Sequence, residues 1–425
     1  MKKFFRLILS IFSIILIYIF YKSELVFMGT IREHYFVPFI TLIALIIFTV
    51  VVSNLSKLIQ KYFLIAILSI FFTLYLFESY LIFKIFPFSN NNNFNFDKRS
   101  IFQLYKDIKK NENVFLTVGS YTNQLHLEIF SDIFPLSGFS NINTIYCNEL
   151  GYYSEYLSDR YGFNNPDKEW DSEEIEYLLV GDSFVHGACV NRPYDIASVL
   201  RELSKKNVLN LGQGATGPLT QYAILREYLT PKVKKIFWVY FELNDLDDLS
   251  KELNSRPLKK YLTDLNFSQN LKLKQNQIDD LYTKYYVPRF LEQNEENIIS
   301  KNFFITFIKL TYTRNLFLSS ASSNVLPSFK NILILTKDLA YKNNTKLYFV
   351  YLPSFYNYAS INYNTKKKDD IKLIVNNLDI PFIDIDNEVF KNEQYPLKLF
   401  PFEKFGHYTI EGYRKVSSKI YEKTK

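Results

Sequence analysis

Gly181-Asp182-Ser183-Phe184 ends an apolar run from Ile175 to Val180 and places a serine where a strand pattern gives way to a helix pattern. A hydroxyl at such a turn stands at the carboxyl end of a strand, and the N–H groups that open the next helix point toward whatever it attacks. That is a nucleophile's position, although the same residues also serve as a turn or an N-cap. Asn210-Leu211-Gly212-Gln213-Gly214-Ala215-Thr216-Gly217-Pro218 closes a short strand pattern from Val208 to Leu211 and opens a helix at Pro218. Its small residues let backbone amides approach a ligand closely. Glu242-Leu243-Asn244-Asp245 ends the run Ile236 to Phe241 and offers the Asn244 amide as a donor into the same crevice; His407 precedes a helix pattern from Thr409 to Tyr421. Serine, two donor segments and a late imidazole, each at a strand end or a helix start, form one constellation.

In order and spacing these four segments resemble the blocks of the SGNH (GDSL-type) hydrolase superfamily, which contribute Ser, Gly, Asn and His in that chain order. The resemblance runs from about Ile175 to the C-terminus. It is greatest to a membrane-anchored bacterial branch, in which a segment like Ser158-Asp159-Arg160-Tyr161-Gly162-Phe163-Asn164-Asn165-Pro166 leads into the Gly-Asp-Ser block. By that likeness Ser183 is the nucleophile and His407 the base. The Ser183 and Ala215 amides, with Gly214 adjacent, and the Asn244 side chain form an oxyanion hole. The implied chemistry is acyl transfer through a serine ester, giving an esterase with water as acceptor and an O-acyltransferase with a sugar hydroxyl. No cofactor and no metal are expected.

Three departures from the family pattern stand out. Ala215 occupies a glycine position, which keeps the N–H donor but narrows the allowed φ and ψ. Glu242 replaces the glycine of the usual Gly-x-Asn-Asp. Lys404 stands three residues before His407, where an Asp normally orients the imidazole. Glu403, Asp384 and Asp386 are the candidate substitutes, beside a Ser–His dyad oriented by a backbone carbonyl. The chain has four histidines. His34 adjoins an apolar N-terminal segment, His126 precedes the main domain, and His186 reads as a partly exposed helix-start residue, so His407 is left by elimination as well as by motif.

Two other readings compete. Gly212-Gln213-Gly214-Ala215-Thr216-Gly217 satisfies Gly-x-Gly-x-x-Gly between a strand and a helix, the dinucleotide fingerprint, with Glu242 as a ribose acceptor. A catalytically inactive glycan-binding or scaffold protein on the same fold is the other, since fold does not guarantee activity.

The elements that must position these residues read as α/β. Strand patterns at Tyr177 to Val180, Val208 to Leu211, Ile236 to Phe241, Leu347 to Leu352 and Phe382 to Ile385 alternate with helical segments, which implies a parallel sheet flanked by helices. The superfamily likeness makes this a flavodoxin-like three-layer domain over residues 171–425. Residues 249–328 read as a helical insertion over the carboxyl edge of the sheet. Residues 89–170 read as a linker, Asn-rich from Asn90 to Asn95, and a pre-domain segment with no assignable chemistry.

Residues 1–88 carry three apolar stretches, Leu7 to Tyr21, Tyr35 to Val52 and Tyr62 to Tyr80, long enough to cross a hydrocarbon core of about 30 Å. They predict a retained membrane anchor of three transmembrane helices, with Glu78 at an interface. Lys2, Lys3 and Arg6 before the first span, and Lys57 and Lys61 between the second and third, place the N-terminus in the cytoplasm. Three crossings then put the large domain outside a cytoplasmic (inner) membrane, on the periplasmic or extracellular side.

Cys147 and Cys189, the two cysteines of the 425 residues, both fall in the outward part. An oxidising compartment permits a disulfide that would clamp the pre-domain segment beside the nucleophile loop, and two isolated buried thiols are the alternative. The net charge of +7 fits anionic lipid or an acidic glycan, and no basic face interleaved with aromatics argues for nucleic acid. The expected partners are an acylated glycan or lipid-linked saccharide, membrane lipid and, for a transferase, a multi-span protein that delivers the acyl donor.

Overall fold

A computed structural model of the protein describes residues 2–26, 32–85, 96–110, 112–118, 133–296, 307–310, 313, 325–359 and 366–425. The chain forms two compact units, Met1–Asn90 with Ile298–Ser319, and Asn91–Asn297 with Ser320–Lys425.

The first unit holds helices Lys2–Phe20, Arg32–Ser53 and Lys57–Ile85. All three are long and apolar enough to cross a membrane. Pro38 lies inside the second of them, beyond the first turn where it was expected, and so removes one intrahelical N–H donor. Glu78 is buried rather than interfacial: its carboxylate accepts the Thr313 N–H at 2.7 Å, and the Tyr75 hydroxyl donates to the Ile308 carbonyl at 3.1 Å. Part of the expected 249–328 insertion therefore belongs with the N-terminal helices.

The second unit is built on two sheets. Strands β1 (Val114–Leu116), β2 (Asn143–Ile145) and β3 (Glu155–Leu157) form a small sheet, β1 parallel to β2 and β2 antiparallel to β3. The main sheet contains β4 (Ile175–Gly181), β5 (Val208–Asn210), β6 (Val233–Phe241), β7 (Lys346–Leu352) and β8 (Phe382–Asp384). Its order is β5-β4-β6-β7-β8 and every pairing is parallel.

These strands are near-continuous apolar runs because helices cover both faces. Leu178, Val180, Ile236, Trp238, Tyr240, Phe349 and Tyr351 pack on one side with residues of helices Pro218–Tyr228 and Leu326–Lys342. Their alternates Tyr177, Leu179, Phe237, Val239, Tyr348 and Val350 pack on the other with helices Ile196–Ser204 and Ile410–Thr424. In this strand order the β4–β5 crossover, helix Ile196–Ser204, covers one face and the β5–β6 crossover, helix Pro218–Tyr228, returns over the other, which opens a crevice at the carboxyl ends of β4 and β6. Ser183 follows the first of those ends and Asn244 the second.

The expected boundary at residue 170 is not a structural one, since Asn91 onward belongs to the same unit as the main sheet. Ser158 to Pro166 is the reason. Asp159, fully buried, accepts from the Tyr161 and Phe163 N–H groups, the Asn165 amide and the Trp170 indole. Asn165 in turn exchanges hydrogen bonds with the backbone of Asn210 on β5, so the segment is fastened to the sheet edge. Asn90 to Asn95 and His126 lie outside the described residues.

Candidate active site

Ser183 is delivered by a strand that stops and a helix that starts within two residues. The Asp182 carboxylate accepts the Phe184 N–H at 2.9 Å, capping the short helix Ser183–His186. Burial pushes the Asp182 carboxyl above its usual range. His407 comes from the far end of the chain, held just before Thr409, whose hydroxyl caps helix Ile410–Thr424 by accepting the Gly412 N–H. The two converge: His407 Nε2 lies 2.8 Å from Ser183 Oγ.

The other imidazole nitrogen meets a carboxylate. His407 Nδ1 lies 2.9 Å from Glu149 Oε1, and the His407 backbone N–H donates to Glu149 Oε2 at 2.6 Å. One carboxylate thus grips both the ring and the main chain of the histidine. With Glu149 ionised, Nδ1 carries the proton and Nε2 is free to accept from the serine. Burial would raise the Glu149 carboxyl, but the hydrogen bond and charge of His407 outweigh it and hold the group below its ordinary value.

The expected orienting acids are therefore corrected. Asp384 is spent on the Asn387 N–H and the Lys368 ammonium, and Asp386 on Lys368, Lys391 and the Tyr358 hydroxyl. Glu403 is an exposed residue in the left-handed region, at φ 56°. None of the three meets the imidazole. Glu149 sits in the loop between β2 and β3, in the segment that sequence reasoning left without chemistry. Two signals were present. Cys147 is two residues away, and it forms a disulfide with Cys189, with Cα atoms 4.9 Å apart. Gly406 precedes His407, and a Cβ there would lie 2.7 Å from Glu149 Oε2, so the glycine leaves room for a carboxylate arriving from elsewhere.

The N–H groups expected to receive an oxyanion differ in what already engages them. Among the described residues, the Ser183 and Ala215 N–H groups have no hydrogen-bond acceptor. The Gly214 N–H is committed to His186 Nδ1 at 3.2 Å, which removes Gly214 as a donor. Ala215 takes φ 54°, a left-handed conformation that glycine adopts at lower cost. The Asn244 amide gives one proton to Asp248 Oδ2 at 2.9 Å, and its hydrogen bonding also bears on the Asp182 carboxyl beside Ser183.

His186, expected to be partly exposed, is fully buried. Its Nδ1 accepts from Gly214, so Nε2 carries the proton and donates to the Tyr156 hydroxyl at 2.9 Å. Burial drives its pKa down to about 3, so the ring stays neutral and pins the 212–215 loop. Glu242 is likewise structural: its carboxylate accepts the Ser354 N–H at 2.6 Å and the Tyr351 hydroxyl, tying β6 to the end of β7.

The same contacts dispose of the dinucleotide pattern. The helix start at Pro218, where a phosphate would sit, holds the Glu252 carboxylate, which accepts from Gly217, Leu219 and Thr220 N–H at 2.6, 3.0 and 3.3 Å. The Glu252 carboxyl already satisfies those amides, and Glu242 is engaged by Ser354 and Tyr351 rather than open to a ribose.

No protein-family model matches the chain, and no curated protein matches it. Among solved structures it is similar to a protein described as lipolytic and of the G-D-S-L family, from Desulfitobacterium hafniense. The two are 12% identical, with 59% of this chain and 99% of that one covered and a TM-score of 0.34. At that overlap the likeness adds no weight to the site, whose case rests on three side chains brought together from Glu149, Ser183 and His407.

Proposed function

We propose that the protein is a membrane-anchored serine esterase or O-acyltransferase of the SGNH type, with Ser183, His407 and Glu149 as its triad. The observation that carries this reading is the continuous hydrogen-bonded line from Ser183 Oγ through both imidazole nitrogens to a carboxylate. His407 takes the serine proton as Oγ attacks an ester carbonyl, and Glu149 stabilises the imidazolium. The Ser183 and Ala215 N–H groups and the Asn244 side chain receive the developing oxyanion. The imidazolium then gives its proton to the departing alcohol, leaving an acyl-serine for water or a sugar hydroxyl.

The three long apolar helices and the basic residues before the first of them support an extracytoplasmic site. That setting favours the acyl, most simply acetyl, groups of a cell-envelope glycan or lipid-linked saccharide as substrate. A transferase would draw its acyl donor through a separate multi-span protein. Acetate release from short-chain esters by the full-length protein tests the reading, with Ser183→Ala and His407→Ala each expected to lower it at least 10³-fold. Labelling of Ser183 by a fluorophosphonate reports the same activation. A folded protein that neither hydrolyses nor labels would be a scaffold on a hydrolase fold.

A further inference from the structure

The triad acid is the one member carried outside the main sheet, and a covalent bond lies between it and the nucleophile helix. Cys189 follows helix Ser183–His186 by three residues, is fully buried and takes φ 61°. Its partner Cys147 opens the β2–β3 loop, which closes on itself through the Ser154 N–H donating to the Cys147 carbonyl at 2.9 Å. Glu149 is two residues further on, and Cys189 Sγ lies 4.0 Å from His407 Nδ1. The disulfide thus passes directly beneath the Glu149–His407 pair.

Other contacts hold the hairpin elsewhere. The Glu155 N–H donates to the Asn191 side chain and Arg192 donates to the Leu157 carbonyl, both at 2.9 Å, which secures β3. Asn148 donates to the Asp97 carbonyl at 2.9 Å, which ties the loop to the N-terminal edge of the unit. The Cys147–Cys189 bond is the covalent link between the acid's loop and the nucleophile's turn; beside it, the Tyr146 ring packs on His186 of the nucleophile helix with ring centres 4.5 Å apart.

Resting on the triad reading above, we propose that this disulfide is a positioning element of the active site: it sets Glu149 under His407, and full activity requires it to be formed. Forming it takes two electrons and two protons from the paired thiols to a disulfide oxidant, which leaves as two thiols. A dithiol reverses the step and is itself oxidised to a cyclic disulfide. With the bond open, β3 stays docked but the 147–154 loop is free to shift, and a misplacement of about 1 Å costs on the order of 10²-fold in rate. The enzyme is then weak wherever thiols are kept reduced and active where disulfides persist.

The test compares ester hydrolysis by the full-length protein, oxidised against reduced with dithiothreitol and alkylated, in wild type and in Glu149→Gln. Cys147→Ser is measured in parallel. In wild type, reduction or Cys147→Ser should lower kcat about 10- to 100-fold with KM unchanged. In Glu149→Gln the same treatment should do nothing further, because the group it positions is already gone. An equal further loss in Glu149→Gln, by unfolding or otherwise, would show a bond that serves stability alone and overturns the proposal. Ser183-dependent hydrolysis indifferent to reduction also overturns it while leaving the esterase reading intact. Hydrolysis that survives Ser183→Ala would bring down both.

Discussion

The case for chemistry rests on Glu149, and so does the sharpest residue-level prediction. Glu149→Gln keeps the size of the side chain and can still accept from Nδ1–H, but loses the charge that steadies the imidazolium. Its kcat for a short-chain ester should fall by about 10²- to 10⁴-fold, whereas Asp384→Asn and Glu403→Gln, which touch nothing in the triad, should stay within a few-fold of wild type. Gly406→Ala should mimic the loss, since its Cβ would occupy the space 2.7 Å from Glu149 Oε2. The carboxylate can give way there only by leaving the two hydrogen bonds it holds with His407. If Gly406→Ala retains full activity, Glu149 is not where the imidazole finds its acid. This residue was illegible for a simple reason. Triad order is set by space rather than by sequence, and an acid that arrives through a disulfide-linked loop leaves no spacing rule beside His407.

At the scale of elements much more could be read. The five strands of the main sheet announced themselves because strands buried on both faces must be apolar along their length. Their ends were marked by Gly181, Asn210 and Glu242, the residues that turn the chain into the site. What the pattern hid was polar traffic inside the domain. His186, Glu242 and Glu252 have the residue types of catalysis or exposure, yet each is buried as a partner for backbone N–H groups or hydroxyls, and no periodicity distinguishes that use. His186 shows the consequence. It joins the nucleophile helix to the 212–215 loop, where Gly212 lies so close that a Cβ would meet His186 N at 2.3 Å. His186→Leu would orphan the Gly214 N–H, costing about 1–3 kcal/mol, and would take one partner from the Tyr156 hydroxyl. The Ala215 N–H would move with the loop. Chemical denaturation should register the stability loss, and kcat should fall more than KM rises, because an oxyanion donor acts mainly in the transition state.

For the molecule as a whole, the ionisable groups of its interior set how stability responds to pH. Burial pushes Asp159 up to about 6 and Glu252 up to about 7, and raises Asp182 and Asp245 as well. A carboxyl with a raised native pKa holds its proton where the unfolded chain has released it. The native state is therefore favoured at low pH, and that advantage drains away as pH climbs from the ordinary carboxyl range through the raised values. His186 has the opposite sign. Its depressed pKa means the unfolded chain binds the proton between about 3 and 6.5, so its contribution is lost as pH falls through that window. Between pH 5 and 8 the carboxyls outnumber the imidazole, so apparent Tm should rise when the protein is taken from pH 8 to pH 5. A tenfold difference in proton affinity between the folded and unfolded chain is worth about 1.4 kcal/mol. Glu252→Gln should flatten that slope while preserving the cap on helix Pro218–Tyr228 in part, through its remaining carbonyl oxygen. Thermal scans of wild type and Glu252→Gln over one pH series would show the rise and its flattening. A Tm that falls toward pH 5 would mean that these carboxyls are hydrated in solution rather than enclosed.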